Sequence, residues 1–199
     1  MLIKQLLIKN QDIANAINGL PAVNFDGTDD FLNVSSTMLN GLPGVTVFFV
    51  ARSFSNPLQQ SIIRGTPDGG VSFGFGQNST GLSCSKWVNI NKAWVGSWNP
   101  TQPILSIKNP VICSMRYQGT KLQGWGNGVE DGGPSAASGS LTDKTATALT
   151  GATIGVGDAS GRLLNGNLGE LILFNRGLND TERKSVESYL SQKWGVSIS

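Results

Sequence analysis

The chain has 199 residues, of which 14% are charged, with a net charge of +2 and 26 glycines. That length accommodates one domain with a sizeable core, and the charge is spread without the basic run that a nucleic-acid binder carries. The longest strongly apolar run, "VTVFFVA" from Val45 to Ala51, falls far short of the roughly 20 residues of a membrane helix.

The first residues, Met1 to Lys9, are apolar but interrupted by Lys4, Gln5 and Lys9, and no small-residue cleavage site follows them. No secretory signal is expected there, and residues 1–14 read as an N-terminal arm or an edge strand ahead of one domain over 15–199. In "NAINGLPAVNFDGTDDFLNV", Asn15 to Val34, strand-like segments alternate with Asn-Gly and Asp-Gly turns, and Asp26-Gly27 is expected to join "PAVNF" to "DFLNV" as a hairpin. Further short strands follow: "GVTVFFVARS", "SIIRG", "VSFGFGQ", "GLSCSKW", "AWVGSW", "PVICSMRYQ", "KLQGWGNGV", "ATIGVG" and "LGELILFNR". In "VICSMRY", alternation puts Val111, Cys113, Met115 and Tyr117 on the core face and Ile112, Ser114 and Arg116 on the other. "QGT" at Gln118 to Thr120 turns that strand into the next. Asp131 to Thr150, rich in Gly, Ser, Ala and Thr, reads as a long surface loop or a weak edge strand.

Only the C-terminus reads as helix, over about 180–194. Asn179 and Glu182 have the spacing of a capping box, Asp180 and Glu182 put negative charge at the positive end of the dipole, and Gly195 stops the run. Val186, Tyr189, Leu190 and Trp194 recur at helical spacing, so the helix is amphipathic and docks on the sandwich or on a neighbouring subunit. The fold class is therefore all-β, a two-sheet antiparallel sandwich with one C-terminal helix. The two cysteines, Cys84 and Cys113, lie in strand-like segments without a metal-binding spacing. They read as buried free thiols, with a disulfide between neighbouring strands as the alternative.

"GNLGELILFNRGLNDTERKSVESYLSQKWGV", Gly166 to Val196, resembles the closing strand and helix of laminin-G-like, concanavalin A-like jelly-roll domains of bacterial and phage proteins. The Asn15–Val34 stretch resembles the first hairpin of the same group, and "YQGTKLQGWGNG" its central hairpin. The resemblance implies two antiparallel sheets packed as a jelly roll. It says little of function, because that fold carries lectins, glycosidases, adhesion modules and virion parts alike.

The chain has no histidine, which excludes Ser-His-Asp and Cys-His catalysis and histidine-metal sites. Glycosidases of the resembled fold place paired carboxylates on alternate residues of one strand; the four glutamates here, Glu130, Glu170, Glu182 and Glu187, form no such set. The expectation is a protein that is not an enzyme. Asp26, Asp29 and Asp30 are candidate oxygen ligands for calcium, the one cofactor considered, although Asp beside such a turn also accepts backbone N–H bonds without a metal. Trp87, Trp94 and Trp98, with Asn89, Asn91 and Asn99, form a candidate carbohydrate-binding set if the indoles stand on one exposed face; the ordinary alternative is tryptophan in a sandwich core.

Exclusion and resemblance together favour a non-enzymatic structural module of a phage virion: a capsid decoration (cement) protein or a tail or fibre component. It would be a homo-oligomer contacting capsid or tail proteins, with Leu2, Ile3, Leu6, Leu7 and Ile8 as an assembly arm covered by a neighbour. The alternative is a carbohydrate-binding lectin or adhesin, extracellular or at a cell surface, whose partners are glycans and whose first residues are an edge strand of their own sheet. Nucleic acid and membrane insertion are not expected in either reading.

Overall fold

The computed structural model describes residues 2–3, 12–34, 44–54, 59–66, 71–78, 81–90, 93–97, 108–118, 121–130, 135–136, 151–156 and 162–199; for 71–97 the description is of the backbone and its register. In chain order the strands are β1 (Leu2–Ile3), β2 (Asp12–Ile17), β3 (Leu20–Asp26), β4 (Leu32–Val34), β5 (Gly44–Ser53), β6 (Gln59–Thr66), β7 (Val71–Asn78) and β8 (Gly81–Ile90). They continue with β9 (Ala93–Ser97), β10 (Val111–Gln118), β11 (Lys121–Gly126), β12 (Val129–Glu130), β13 (Ser135–Ala136), β14 (Gly151–Ile154) and β15 (Asn165–Phe174), and the helix α1 (Asp180–Trp194) closes the chain. One sheet runs β12-β11-β10-β5-β15-β3-β2, with β1 added on β15 and β13 on β11; the other runs β4-β14-β6-β7-β8-β9. Every pairing among the described strands is antiparallel. The fold is an antiparallel β-sandwich of the jelly-roll kind.

Alternation along β10 works as the sequence requires. Val111, Cys113, Met115 and Tyr117 enter the core between the sheets, together with Val45, Val47 and Phe49 of β5 and Val23 and Phe25 of β3. The opposite face is buried as well: Ile112, Phe48, Val50 and Ala22 meet Leu190 and Trp194 of α1 in a second core. The helix thus docks on the outside of the larger sheet of its own chain. Its ends are as the sequence reads: Asn179 Oδ1 accepts from the Glu182 amide at 2.9 Å, Glu182 Oε2 accepts from the Asn179 amide at 2.9 Å, and Gly195 takes the left-handed conformation at φ +65°.

Three expectations need correction. Asp26-Gly27 does not close a hairpin, because β3 and β4 belong to different sheets. Side chains, not a ladder, hold this turn: Asp26 Oδ1 accepts from the Thr28 amide at 2.7 Å, and Asp30 Oδ2 accepts from the Asp26 amide at 3.0 Å. The chain is thereby redirected from one layer to the other. The real hairpin of this region joins β2 to β3 through Asn18 and Gly19, both at positive φ, as a two-residue turn with the primed twist requires. Second, Cys113 is disulfide-bonded rather than a free thiol; the chain's other cysteine, Cys84, lies on β8 of the facing sheet. Third, Tyr189 is exposed, whereas Arg183 and Glu187 of the helix are buried.

The first residues are also informative. Leu2 and Ile3 pair with Phe174 and Leu173 of β15, so this part of the segment is an edge addition to its own sheet. Leu6, Leu7 and Ile8 lie outside the described residues, as does most of the Asp131–Thr150 segment apart from β13. Among the described residues no helix is long and apolar enough to cross a membrane.

Candidate functional site

Two of the candidate sugar-binding tryptophans, Trp87 on β8 and Trp94 on β9, lie on the smaller sheet, and register fixes which face they share. Ile63 of β6 belongs to the core between the sheets. It pairs with Phe73, and Phe73 pairs with Lys86 of β8. Directly paired residues share a face and neighbours in sequence alternate, so Trp87 falls on the outward face. Asn89 falls on the same face, and it pairs with Trp94 of β9. One cross-strand row of that face reads Asn33, Thr153, Arg64, Ser72, Trp87 and Gly96. By register, then, Trp87, Asn89 and Trp94 share one face of the smaller sheet. Trp98, Asn91 and Asn99 lie outside the described residues.

Asp26, Asp29 and Asp30 do converge, with a carboxylate oxygen from each within 4.8 Å of the others. Two of these carboxylates, Asp26 and Asp30, accept the turn's own hydrogen bonds, Asp26 Oδ1 also lying 3.4 Å from the Asp29 amide. Oxygen donors of this kind suit a hard cation such as calcium, and the bonds of Asp26 and Asp30 are also Asx-turn chemistry.

Each of the four glutamates has a structural partner. Glu170, on the outer face of β15, accepts from the Trp194 indole at 2.7 Å, Lys193 Nζ at 2.9 Å and the Tyr189 hydroxyl at 3.2 Å. It reaches the helix because a bulge between Leu168 and Glu170 lets Leu168 face the inner core while Glu170, two positions on, faces out. Gly169 at the bulge has no room for a side chain, since a Cβ there would lie 2.8 Å from the Trp194 ring. Burial alone would lower the Lys193 pKa, but the hydrogen bonds from Lys193 to Glu170 and Tyr189 outweigh it and the pKa is raised. Glu187 takes two bonds from Arg183 Nη1, at 2.6 and 2.7 Å, and one from the Ser114 hydroxyl. The Arg183 guanidinium lies 4.1 Å over the Trp125 ring, with Arg116 5.1 Å from the same ring. Glu182 is clamped by Arg176 through bonds of 2.7 and 2.8 Å, which with the Asn179 amide hold its carboxyl at about 2. Glu130 accepts from Gln123 Nε2 at 3.0 Å. These carboxylates are engaged in holding elements together.

No protein-family model matches the chain, and no curated protein sequence does. Solved structures do match it. Domain 4 of AbnA, a GH43 extracellular arabinanase from Geobacillus stearothermophilus solved in complex with arabinotriose, is 12% identical, with a TM-score of 0.69 over 90% of this chain and 82% of that one. The heptameric SAP-like pentraxin of Limulus polyphemus is 15% identical, with a TM-score of 0.59 over 82% and 80%. The NanB sialidase of Streptococcus pneumoniae is 14% identical, with a TM-score of 0.60 over 82% of this chain but only 27% of that enzyme. These likenesses are of fold, an antiparallel jelly-roll β-sandwich, the class that the chain's sheets define.

Proposed function

We propose that this chain is a non-catalytic carbohydrate-binding module that works outside the cell or at a cell surface, with Trp87, Asn89 and Trp94 as the centre of its sugar-binding face. The observation that carries this reading is the likeness, over nine-tenths of the chain, to a domain solved with arabinotriose. Indoles stack on the apolar faces of sugar rings and amides bond the hydroxyls, which is the chemistry such a face needs. The disulfide at Cys113 suits an oxidising compartment. The engagement of all four glutamates in structural bonds supports binding rather than hydrolysis. Calcium at Asp26, Asp29 and Asp30 is compatible with this function and is not needed for it.

The virion reading rests on exclusion, fold-level resemblance and an N-terminal segment available to a neighbour. Leu2 and Ile3 pair instead within their own chain, so a decoration or tail role has no support of its own here. The test is binding to an array of immobilised glycans by the wild type and by Trp94→Ala. Selective binding that the substitution abolishes while the far-UV spectrum stays unchanged supports the proposal. Silence of the wild type across neutral and acidic glycans overturns it.

A further inference from the structure

On the larger sheet, the outer face divides into a covered half and an open half. The helix covers Phe48 and Val50 of β5 and ends at Trp194, whose ring stands against Gly169. Beyond that point β5, β15 and β3 present two polar rows. In the first, register aligns Arg52, Asn167 and Asn24. In the second, Phe54 donates its amide to the Asn165 carbonyl at 2.8 Å, and Asn165 pairs with Asp26.

The first row is a chain of fixed hydrogen bonds. Asn167 is buried, and its Oδ1 accepts from Arg52 Nη2 at 2.7 Å and Nε at 3.2 Å, while its Nδ2 donates to Asn24 Oδ1 at 3.1 Å. An amide thus does the orienting that a carboxylate ordinarily does, and it leaves the guanidinium charge unneutralised. Among the described residues no carboxylate pairs with Arg52. Its guanidinium carbon lies 5.0 Å from the centre of the Phe54 ring, and that ring is 38% exposed. The result is a half-exposed cation with spare N–H donors, an exposed aromatic face beside it, amides in the same row, and the exposed Asp26 carboxylate at its edge.

We infer that this open half of the larger sheet's outer face is a second carbohydrate site, built from Arg52, Phe54, Asn24 and Asp26, that takes a neutral sugar. The inference rests on the proposal that the chain binds glycans, and it adds a site on the opposite side of the sandwich. The ligand class follows from the donor and acceptor pattern. Phe54 offers a flat apolar surface to one face of a pyranose or furanose ring, Arg52 and the Asn24 amide nitrogen donate to hydroxyl or ring oxygens, and Asp26 accepts from hydroxyl protons. An anionic sugar would face the three-aspartate turn beside the site, whereas a neutral polyol uses donors and acceptors together.

The experiment is titration calorimetry of the whole chain with short neutral oligosaccharides of glucose, xylose, arabinose or galactose, and with uronic-acid and sialylated oligosaccharides as the acidic arm. The wild type, Phe54→Ala, Arg52→Met and Trp94→Ala are compared, each checked for an unchanged melting temperature. Phe54 is exposed, so its variant keeps the test valid if Arg52→Met weakens the fold. The expected result is two sugars per wild-type chain and one in Phe54→Ala, with the lost site at least tenfold weaker. A wild type that binds one sugar, lost in Trp94→Ala and kept in Phe54→Ala, overturns this inference and leaves the proposed function standing. A site that responds to Phe54→Ala but accepts only acidic sugars overturns the neutral class. Binding of no sugar by the wild type overturns both.

Discussion

Replacing Glu170 by alanine tests whether this carboxylate is a structural anchor. Its side chain is buried, and it is the acceptor for the indole N–H of Trp194, a ring only 3% exposed. Losing that acceptor orphans a buried donor, at a cost of about 1–3 kcal/mol. The bond to Lys193 adds less, because the lysine is 29% exposed and reaches water once released; about 0–1 kcal/mol is its range. The sum is about 1–4 kcal/mol, while Glu170→Gln, which keeps a carbonyl oxygen for the indole, should lose only the lower end of that range, about 1 kcal/mol. Urea denaturation followed by tryptophan fluorescence and far-UV circular dichroism measures both. If Glu170→Ala loses less than about 0.5 kcal/mol, within the range of an ordinary surface substitution, the helix is not anchored through this carboxylate.

Four further outcomes are expected. Asn179→Ala should cost about 1 kcal/mol through the lost cap, and Trp194→Ala about 3–5 kcal/mol through the cavity left in the helix–sheet core, both read from denaturation midpoints. The Glu182 carboxyl is held at about 2 against an ordinary value of 4.5 by Arg176 and the Asn179 amide. Its contribution is therefore complete above pH 4.5 and is lost as the pH falls toward 2, and Glu182→Gln should flatten the pH dependence of melting in that window. If the Asp26, Asp29 and Asp30 cluster is turn chemistry, chelator should leave the melting temperature unchanged; a large drop would show a bound cation stabilising the native state by mass action.

What could be read from the sequence was local. The Asn179–Glu182 box and the Gly195 stop depend on residues within one turn, and the two faces of β10 depend on alternation alone. What could not be read depends on partners distant in the chain. Asp26-Gly27 has the composition of a hairpin turn, but whether the following strand pairs back or crosses to the other sheet is decided by β14, more than a hundred residues on. Nothing local to the helix marks Arg183 and Glu187 as buried. They are buried because they pair with each other, with Ser114 bonding Glu187 and the Trp125 ring under the guanidinium, while Arg183 Nε has no hydrogen-bond partner. The particular partners of Glu170 could not be read, since the bulge at Gly169 that turns it outward has no signature beyond a single glycine. For the candidate sugar site, the sequence supplied the residue types and spacing, and the register of β6, β7, β8 and β9 supplied the shared face. Arg52 and Asn167 went unnoticed because they meet only across the β5–β15 pairing.

The central claim, binding without hydrolysis, is tested most directly by incubating the pure protein with an oligosaccharide that it retains on the glycan array, and measuring bound ligand and released reducing ends in the same sample. Saturable binding with no release over prolonged incubation is the predicted result. Release of reducing ends, or retention that does not saturate, would contradict it.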